Sequence, residues 1–465
     1  MLKIYNTLTQ EKQTFKPLQD KKVGLYVCGM TVYDLCHIGH ARVLVAFDVV
    51  VRYLQSQGYQ VNYVRNITDI DDKIIKRAQE NNESLSDLTG RMIEAMHKDF
   101  SQLNILPPTH EPKATEAIAQ MIDLIQALME KGIAYQSDNG DIFYAVDKFK
   151  TYGELAHQDL EKLRRGSRVA VELTKKDALD FVLWKQAKPN EPSWDSPWGK
   201  GRPGWHIECS AMSMAALGEH FDIHGGGLDL VFPHHQNEIA QSEGATNKKF
   251  VNTWMHVGFV QINRQKMSKS LGNFFTVRDV LAEYPAEVVR YFLVASHYHS
   301  PIHYSQENLQ AAQSALQRFY TSLRGLELNV ALEDSDFSAQ IKDYQKKFKA
   351  AMDDDFNTPE ALAVLFDVVR EINRVRETDL KQAVALASFL KQQAVVLGIL
   401  QQNPEQFLKT GIQEEQSQKI DALIAARNKA RAEKNWTEAD RIRDELAGLG
   451  VSISDHASGT DWHRV

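Results

Sequence analysis

The chain has 465 residues and a mass of 52.8 kDa, with 43% hydrophobic residues, 25% charged residues and a formal net charge of −7. This composition is typical of a soluble protein with a buried core, and it excludes disordered, collagen-like and coiled-coil classes. Because a single core rarely exceeds about 250 residues, we expect roughly two to four domains. The acidic pI, about 6.2, gives no overall attraction to nucleic acid, so any polyanion must meet a local basic surface.

The sequence shows no targeting or membrane segment. Its N-terminus lacks the pattern of a secretory signal, and its densest apolar run, residues 43–51, is shorter than the roughly 20 residues of a membrane span. The three cysteines, Cys28, Cys36 and Cys209, are an odd and sparse set, which argues against a disulfide framework. We therefore expect a cytoplasmic protein without membrane association, whose thiols are free to act as ligands or nucleophiles.

The first predicted elements are a strand ending at Cys28, a helix near residues 43–54 and a second strand near 61–67. A strand, helix and strand this close in the chain form a βαβ unit, which predicts a doubly wound, parallel, Rossmann-like sheet. Such sheets bind ligands at the carboxyl ends of their strands. The residues predicted at those ends are Cys28, His37, His40 and Thr68.

The pattern of apolar and polar residues changes several times along the rest of the chain. An insertion with helical and then strand-like patterns would split the sheet domain and let Cys28 and Cys209 meet. Helical apolar spacing follows, which predicts a helical bundle, and after it come a polar, glutamine-rich linker and a small C-terminal module. The expected segments are 1–111 (sheet domain, first half), 112–200 (connective insertion), 201–262 (second half), 263–305 (a region with a cationic loop), 306–400 (helical bundle) and 401–465 (linker and C-terminal module).

A candidate metal site combines Cys28, Cys209, His234 and Glu238. Pro233 opens a predicted helix, on which side chains four residues apart share a face, so His234 and Glu238 can hold one ion. Sulfur, nitrogen and oxygen donors together suit zinc better than magnesium or calcium. His235 is a rival ligand. The alternative is that the cysteines are small buried hydrophobes and the histidines cap a helix, although six of the 16 histidines fall within residues 206–256.

Two further segments suit a polyphosphate. His37, Gly39 and His40 lie between the first strand and the next helix, where backbone amides and the helix dipole favour a phosphate. Their imidazoles can donate hydrogen bonds to phosphoryl oxygens. Lys266 and Lys269 lie in a loop of small residues that can close over a triphosphate. The alternatives are a turn capped by histidines and a solvated basic loop.

A glycine-rich stretch over residues 224–229 can pass close to a nucleotide. Its candidate contacts are Gly225, Gly227 and Asp229. The stretch is not a Rossmann fingerprint, and the chain has no P-loop pattern. The same glycines could form an esterase oxyanion hole, but no Gly-x-Ser-x-Gly motif accompanies them, so we exclude a serine hydrolase.

In combination, residues 37–40 (HIGH) and 266–270 (KMSKS) resemble the two signature sequences of class I aminoacyl-tRNA synthetases. Three further stretches resemble cysteinyl-tRNA synthetases: YVCGMTVYD at 26–34, GWHIECS at 204–210 and FPHH at 232–235. The resemblance begins near Ile4, includes DDDFNTP at 353–359 and is weakest after residue 401. Gln236 departs from it, because glutamate is expected there in many relatives.

The resemblance implies a ligase that activates L-cysteine with ATP to cysteinyl adenylate and transfers it to the 3′-terminal ribose of tRNA(Cys). The implied ligands of one zinc ion are Cys28, Cys209, His234 and Glu238, and the substrate binds the zinc through sulfur. The implied catalytic residues are His37, His40, Lys266 and Lys269. The implied ATP contacts are His37, His40, Gly225, Gly227, Asp229 and Lys269, with magnesium accompanying ATP. The implied amino-acid pocket contains Thr68, Trp205 and His224.

The resemblance also assigns roles to the later segments. Residues 263–305 would hold the second signature loop and contact the tRNA stem, and the C-terminal module would reach the anticodon. The expected tRNA contacts are Arg427, Trp436 and Asp440, with Trp436 stacking on an unpaired base. The alternative is a salt-bridged helix pair with a core tryptophan, because acidic residues are interleaved with the basic ones. We expect a monomer.

The zinc implied by the resemblance gives a physical basis for rejecting serine. Serine differs from cysteine by one atom, so shape alone discriminates poorly, whereas a zinc–sulfur bond depends on that atom directly. We therefore expect no editing domain, and the insertion is short for one. Two other functions compete: a zinc-dependent ligase that passes cysteine to an amino sugar, and a non-catalytic, zinc-stabilised RNA-binding protein. The C-terminal module counts against the first, and the intact signature segments count against the second.

Overall fold

A computed structural model describes residues 1–158, 175–189, 191–262, 265–267, 274–330, 338–410, 414–456 and 459–464. The chain forms two compact units. The first contains Met1–Leu309, Gln345–Ala363 and Val396–Gly398, and the second contains Gln310–Tyr344, Val364–Val395 and Ile399–Val465. Among the described residues, no helix is both long and apolar enough to span a bilayer.

The elements are numbered in chain order. Those up to residue 130 are β1 (Lys3–Asn6), β2 (Glu11–Thr14), β3 (Lys22–Val27), α1 (Ile38–Ser56), β4 (Gln60–Arg65), α2 (Asp72–Asn81), α3 (Leu85–Gln102) and α4 (Ile118–Glu130). Those up to residue 262 are β5 (Ala134–Gln136), β6 (Ile142–Tyr144), β7 (Phe181–Gln186), β8 (Gly201–Pro203), α5 (Trp205–Leu217), β9 (Phe221–Gly227), α6 (Gln236–Thr246), β10 (Val251–Val257) and β11 (Val260–Ile262).

The remaining elements are mostly helical. They are β12 (Gln265–Lys266), α7 (Val277–Glu283), α8 (Ala286–Val294), β13 (Ile302–His303), α9 (Gln306–Leu323), α10 (Ser338–Asp353), α11 (Thr358–Val375), α12 (Leu380–Leu397), α13 (Pro404–Leu408), α14 (Glu414–Ala432), α15 (Trp436–Gly448), β14 (Val451–His456) and β15 (Gly459–Arg464). The helical region expected after residue 305 is therefore confirmed.

The central sheet of the first unit is parallel, as the sequence predicts. Its four strands lie in the order β10, β9, β3, β4, and every pairing between them is parallel. Helix α1 connects β3 to β4, and most of its length is buried. The carboxyl ends of all four strands therefore meet at one edge of the sheet. Because β3 and β9 are neighbours, residues near position 27 come close to residues near position 225 in the middle of the sheet.

The insertion forms a sheet of its own. Strands β5, β6, β7 and β8 are antiparallel neighbours in chain order. The last strand extends to Pro203, just beyond the expected boundary at residue 200, because Pro203 pairs with Trp184. Helix α5 starts directly after Gly204, whose missing side chain is required: a Cβ there would lie 2.2 Å from the Val182 carbonyl oxygen. The insertion thereby fixes where α5 begins.

The polar segment over residues 401–418 is not the linker that its composition predicts. It contains α13 and the start of α14. The Asn403 side chain caps α13 by accepting the amides of Glu405 and Gln406 at 2.9 and 3.4 Å. The Phe407 ring stacks on Tyr320 with centroids 4.1 Å apart. One cap and one aromatic contact therefore stabilise α13 within this mostly polar segment.

The C-terminal module has a small core of its own. Helices α14 and α15 pack with the antiparallel pair β14–β15. Its buried members are Ile420, Ile424, Ile442, Leu446, Val451 and Trp462. The core tryptophan is thus Trp462, whereas Trp436 is 59% exposed. The alternative of Trp436 as a core residue is therefore wrong.

At the amino edge of the central sheet, Asp222 joins two segments that are distant in sequence. Its carboxylate accepts the amide of Leu18 at 2.7 Å and the amide of Gly24 at 2.8 Å, and Asp222 is buried. We predict that Asp222→Ala lowers the free energy of unfolding by about 1 to 3 kcal/mol, because two partly buried backbone N–H groups lose their carboxylate acceptor. Urea denaturation measures this change. Asp195→Ala is the control, because the Asp195 side chain is 89% exposed, and an equal loss in both variants would contradict the prediction.

Candidate active site

Four buried side chains meet at the carboxyl edge of the central sheet. The Sγ atoms of Cys28 and Cys209 lie 3.6 Å apart, and Cys28 Sγ lies 3.5 Å from Glu238 Oε1. His234 Nε2 lies 3.1 Å from the same carboxylate oxygen. One ligand atom from each of the four residues lies within 4.8 Å of the other three. The fold thus joins two cysteines that are 181 positions apart in the chain.

The ends of two neighbouring strands and the start of one helix place the cysteines. Cys28 follows the last residue of β3, and its amide donates to the Gly225 carbonyl at 3.0 Å, at the end of β9. The next residue, Gly29, has no room for a side chain, because a Cβ there would lie 1.7 Å from the Asn66 carbonyl oxygen. Cys209 lies in the second turn of α5, which packs on β3. Both thiols therefore face the same space beside the sheet.

His234 belongs to a turn that precedes α6. Residues Val231–His235 form this turn, and α6 itself starts at Gln236, so the regular helix begins later than Pro233 predicts. The winding is nevertheless continuous enough for His234 and Glu238 to share a face, as their 3.1 Å contact shows. The expected pairing of residues four apart therefore persists across the junction between turn and helix.

A second donor group overlaps the first. His235 Nε2 lies 3.3 Å from Cys28 Sγ, and His224 Nε2 lies 2.8 Å from Glu238 Oε2. Cys28, His224, His235 and Glu238 therefore also lie within 4.8 Å of one another. The two groups share Cys28 and Glu238, so they are alternative sites for one cation. On geometry alone, His234 and His235 remain alternative ligands.

The electrostatics of the cluster favour a cation. Burial raises the pKa of the Cys28 thiol well above its usual value, and the neighbouring Cys209 and Glu238 raise it further. Burial also holds the pKa of His234 well below its usual value, so at pH 7 the imidazole is neutral and has a lone pair to offer. A bound cation reverses the penalty on the thiolate, because metals favour the deprotonated form of a cysteine ligand.

Two outer histidines contact the inner ones. His206 Nδ1 lies 3.0 Å from His234 Nδ1, and His256 Nε2 lies 2.7 Å from His235 Nδ1. Burial lowers the pKa of His206 and of His256 to about 3, so both outer rings are neutral. An inner ring that donates from Nδ1 presents its Nε2 lone pair to the cluster. Neither outer histidine is among the predicted site residues, although the concentration of histidines in this part of the sequence points to them.

The three residues assigned to an amino-acid pocket adjoin the cluster. The Trp205 ring stacks on His234 with centroids 4.2 Å apart and is 38% exposed, so it lies between the cluster and solvent. Thr68 is buried, and its hydroxyl donates to Glu208 Oε2 at 2.8 Å. His224 is fully buried and belongs to the second donor group. Trp205 therefore provides the one partly exposed surface among the three.

His37 and His40 cap the amino end of α1. His37 Nδ1 accepts the amide of His40 at 3.3 Å, and His40 Nδ1 accepts the amide of His37 at 3.2 Å. Their rings stack with centroids 3.6 Å apart. A nitrogen that accepts a hydrogen bond carries no proton, so each neutral ring bears its proton on Nε2. The cap thus makes two Nε2–H donors beside the amino end of a helix, where anions are favoured.

The glycine-rich stretch ends β9 at the same edge of the sheet. A Cβ at Gly225 would lie 2.0 Å from Phe47 Cζ on α1, so this strand and helix approach closely only because residue 225 has no side chain. A Cβ at Gly227 would lie 2.5 Å from Asp229 Oδ1. Asp229 itself lies in the exposed short turn Leu228–Leu230. These residues therefore lie at the carboxyl end of β9, next to β3.

The cationic segment is described only in part. The backbone of Lys266 belongs to β12, whereas the side chain of Lys266 and all of Lys269 lie outside the described residues. Met267 is described, and its amide donates to the Val260 carbonyl at 3.0 Å. The end of the Met267 side chain adjoins Gly39, within 3.3 Å of a Cβ built there. The start of the cationic segment therefore lies beside the histidine cap.

The predicted contacts in the C-terminal module differ in exposure. Trp436 opens α15 with an exposed ring, and Asp440, one turn later, is an exposed partner of Arg443 at 3.4 Å. Arg427 is buried, and its guanidinium donates two hydrogen bonds of 2.8 Å to Asp455. This ion pair ties α14 to β14, and the expected contact of Arg427 with tRNA stays a prediction.

Comparison with protein-family models divides the chain into three matched regions. Residues 14–314 match the tRNA synthetases class I (C) catalytic domain. Residues 347–401 match the DALR domain, and residues 414–462 match the cysteinyl-tRNA ligase anticodon binding domain. The first match covers more than half of the chain.

Curated proteins and solved structures agree with these matches. The chain is 60% identical to a cysteine–tRNA ligase of Thioalkalivibrio sulfidiphilus over 465 residues, with 100% of both chains covered. It is 59% identical to a cysteine–tRNA ligase of Ectopseudomonas mendocina, with 99% of each covered. Methionyl-tRNA synthetase of Mycobacterium tuberculosis in complex with methionyl-adenylate shares the fold with a TM-score of 0.57 at 14% identity, covering 87% of this chain and 94% of that one.

Proposed function

Since the chain belongs to the cysteinyl-tRNA synthetase family, we propose that its buried Cys28 cluster holds zinc and selects substrate cysteine by its sulfur. The reaction is the ATP-dependent charging of tRNA(Cys) with cysteine by a class I synthetase. The observation that carries the proposal is the convergence of two thiols, an imidazole and a carboxylate within 4.8 Å. The roles given below to individual residues are part of the same proposal.

The donor atoms fit tetrahedral zinc. Zinc–sulfur bonds of about 2.3 Å at the tetrahedral angle separate two sulfurs by about 3.8 Å, and zinc–nitrogen and zinc–oxygen bonds of about 2.0 Å separate those donors by about 3.3 Å. The corresponding separations here are 3.6 Å between the thiols and 3.1 Å between His234 and Glu238. Cys28, Cys209, His234 and Glu238 would hold the ion. His235 is left out of the proposed ligand set because the set with two sulfurs suits zinc best.

Selection then rests on the chemistry of the substrate side chain. When bound, zinc supplies a soft Lewis acid that a thiolate ligates and a serine hydroxyl does not match. Trp205 covers the site from the solvent side, and Thr68 and His224 line it. The buried Thr68–Glu208 hydrogen bond of 2.8 Å keeps the Thr68 hydroxyl in one position. The pocket thus combines a rigid wall with one partly exposed ring.

ATP is placed between the two signature segments. The cysteine carboxylate attacks the α-phosphate, which yields cysteinyl adenylate and pyrophosphate. A ribose hydroxyl of tRNA then attacks the carbonyl carbon of the adenylate, and AMP leaves. The Nε2–H donors of His37 and His40 stabilise the charge that develops on the phosphoryl oxygens. Lys266 and Lys269 neutralise the triphosphate, with magnesium as its counter-ion. Gly225, Gly227 and Asp229 contact the nucleoside at the end of β9.

The C-terminal module supplies the contact with the anticodon. Trp436 presents an exposed ring on which an unpaired base can stack, and Asp440 lies one helical turn away with an exposed carboxylate. Arg427 acts through the ion pair that fixes Asp455. A small-molecule acceptor needs no such module, so transfer to an amino sugar is not favoured. We further propose a monomer that acts in the cytoplasm, consistent with three buried, free cysteines.

The first test is tRNA charging. We predict that the full-length protein attaches labelled cysteine to tRNA(Cys) when ATP is present and that labelled serine is attached at least about 100-fold more slowly, because binding energy lost at one atom is worth that ratio. Acid-precipitable label measures both reactions. Cysteine-dependent pyrophosphate exchange without charging would contradict transfer to tRNA, and comparable serine charging would contradict selection through sulfur.

The second test is metal content. We predict that Cys209→Ser weakens zinc binding and cysteine activation together by at least about 10-fold, because a hydroxyl is a poor zinc ligand. Elemental mass spectrometry of the purified protein and pyrophosphate exchange measure the two losses.

Cys36→Ser is the matched control for Cys209→Ser. Cys36 is also buried, but its Sγ contacts the Met30 sulfur at 3.2 Å, outside both donor groups. Zinc content should be unchanged in Cys36→Ser. The same comparison between His234→Ala and His235→Ala separates the two donor groups, with the larger zinc loss expected in His234→Ala. Full activity in a zinc-free Cys209→Ser protein would overturn the proposal.

The third test concerns the C-terminal module. We predict that Trp436→Ala raises the KM for tRNA(Cys) about 10-fold, because base stacking on an aromatic ring contributes about 1 to 3 kcal/mol. Pyrophosphate exchange without tRNA should not change. Trp436→Phe retains an aromatic face and should restore most of the affinity. An unchanged KM for tRNA in Trp436→Ala would show that this ring does not contact the tRNA.

A further inference from the structure

The two signature segments lie on different elements, and their separation must stay fixed if both are to bind one triphosphate. The histidine segment caps α1, and the second segment lies between β12 and α7. Two backbone hydrogen bonds join their flanks: the Ile38 amide donates to the Phe275 carbonyl at 3.1 Å, and the Val277 amide donates to the Cys36 carbonyl at 2.8 Å. These bonds hold only the carboxyl side of the second segment.

Arg42, two residues after His40 on α1, is almost completely buried and contacts the end of α8. Its guanidinium donates to the carbonyls of Leu293 and His297, the latter at 2.7 Å, and to that of Ser296 at 3.3 Å. In the described part of the chain no carboxylate forms an ion pair with Arg42. Its charge is met instead by carbonyls at the carboxyl end of a helix, where the helix dipole favours a cation. Only a planar guanidinium, which carries several N–H donors in a fork, can donate hydrogen bonds to these carbonyls at the same time.

The residues that directly follow these carbonyls in the chain support the amino side of the second signature segment. The Gly258 amide donates to the Tyr298 carbonyl at 2.9 Å, and β11 pairs with β13. Strand β11 in turn pairs with β12, which contains Lys266. A continuous set of hydrogen bonds therefore runs from Arg42 through residues 296–304 to the strand that enters the cationic segment.

We propose that Arg42 is a positioning residue for ATP, which holds the stem of the second signature segment at a fixed distance from the histidine cap of α1. This inference rests on the proposed placement of ATP between the two segments. Arg42 does not touch the nucleotide. It acts through the backbone of residues 293–300, so its loss affects the steps that need both segments and leaves the metal cluster intact.

The test is Arg42→Lys, which keeps the charge and removes the fork. We expect kcat/KM for ATP in pyrophosphate exchange to fall at least about 10-fold, because small misplacements of positioning groups have large effects on rate. The KM for cysteine and the zinc content should stay within about twofold, since no described contact of Arg42 reaches the donor groups. An unchanged kcat/KM for ATP would overturn the inference. So would an equal rise in the KM values for ATP and for cysteine.

Arg290→Lys is the matched control. Arg290 is also buried and also donates to backbone carbonyls, those of Leu103 and Leu397 at 2.9 Å each, but it has a carboxylate partner in Asp48. Asp48 lies on α1 two turns beyond His40, and none of these partners belongs to residues 293–304, so Arg290→Lys should cost stability without a selective effect on ATP. An equally selective ATP effect in both variants would show that the loss does not depend on the contacts of Arg42 with residues 293–300 and would overturn the inference.

Gly258→Ala tests the same connection without changing Arg42. A Cβ at Gly258 would lie 2.5 Å from the Ser300 carbonyl oxygen, so alanine must push these two segments apart. The inference requires the same selective loss for ATP, and a normal kcat/KM for ATP in folded Gly258→Ala would overturn it even if Arg42→Lys failed to fold. His40→Ala separates the two levels of the argument. If His40→Ala leaves ATP use unchanged, the proposed ATP site is wrong, and if only Arg42→Lys and Gly258→Ala are normal, the role of Arg42 alone is wrong.

Discussion

The burial of two thiols, an imidazole and a carboxylate within a few ångströms of one another is the constraint on which the site depends. Burial, together with the neighbouring Cys209 and Glu238, raises the pKa of the Cys28 thiol, so the set is costly unless a cation compensates it. Burial keeps His234 in the neutral form that a metal requires. The same physical cause, exclusion of water, therefore makes the arrangement unfavourable without a compensating cation and keeps its imidazole neutral, as a metal ligand must be.

The parallel sheet makes this convergence achievable from distant parts of the chain. Neighbouring strands β3 and β9 end at one edge, and the insertion between them returns the chain to the sheet at Gly204, where α5 begins. Close approaches at this edge leave no room for side chains at Gly29 and Gly225. The insertion is thus part of the site's geometry, because it sets the first residue of the helix that carries Cys209.

The histidine cap of α1 has two roles at the same edge of the sheet. His37 and His40 use their Nδ1 atoms to cap α1, which leaves the neutral rings with protonated Nε2 atoms. Helix capping and presentation of donors are therefore achieved by the same two side chains. Backbone hydrogen bonds hold the carboxyl side of the cationic segment beside this cap, and the proposed role of the buried Arg42 guanidinium is to position the stem on its amino side.

The sequence by itself determined the features that are encoded locally. Periodicity predicted β3, α1, β4 and the later helices, and the spacing of four predicted that His234 and Glu238 share a face, which their 3.1 Å contact confirms. Only the tertiary structure decided which groups face each other. Asp455 withdraws Arg427 from solvent, His206 and His256 contact the inner histidines, and Tyr320 anchors a segment that its composition marks as a linker. Each of these partners is distant in sequence, and burial and partner choice depend on where such segments meet, which local spacing does not record.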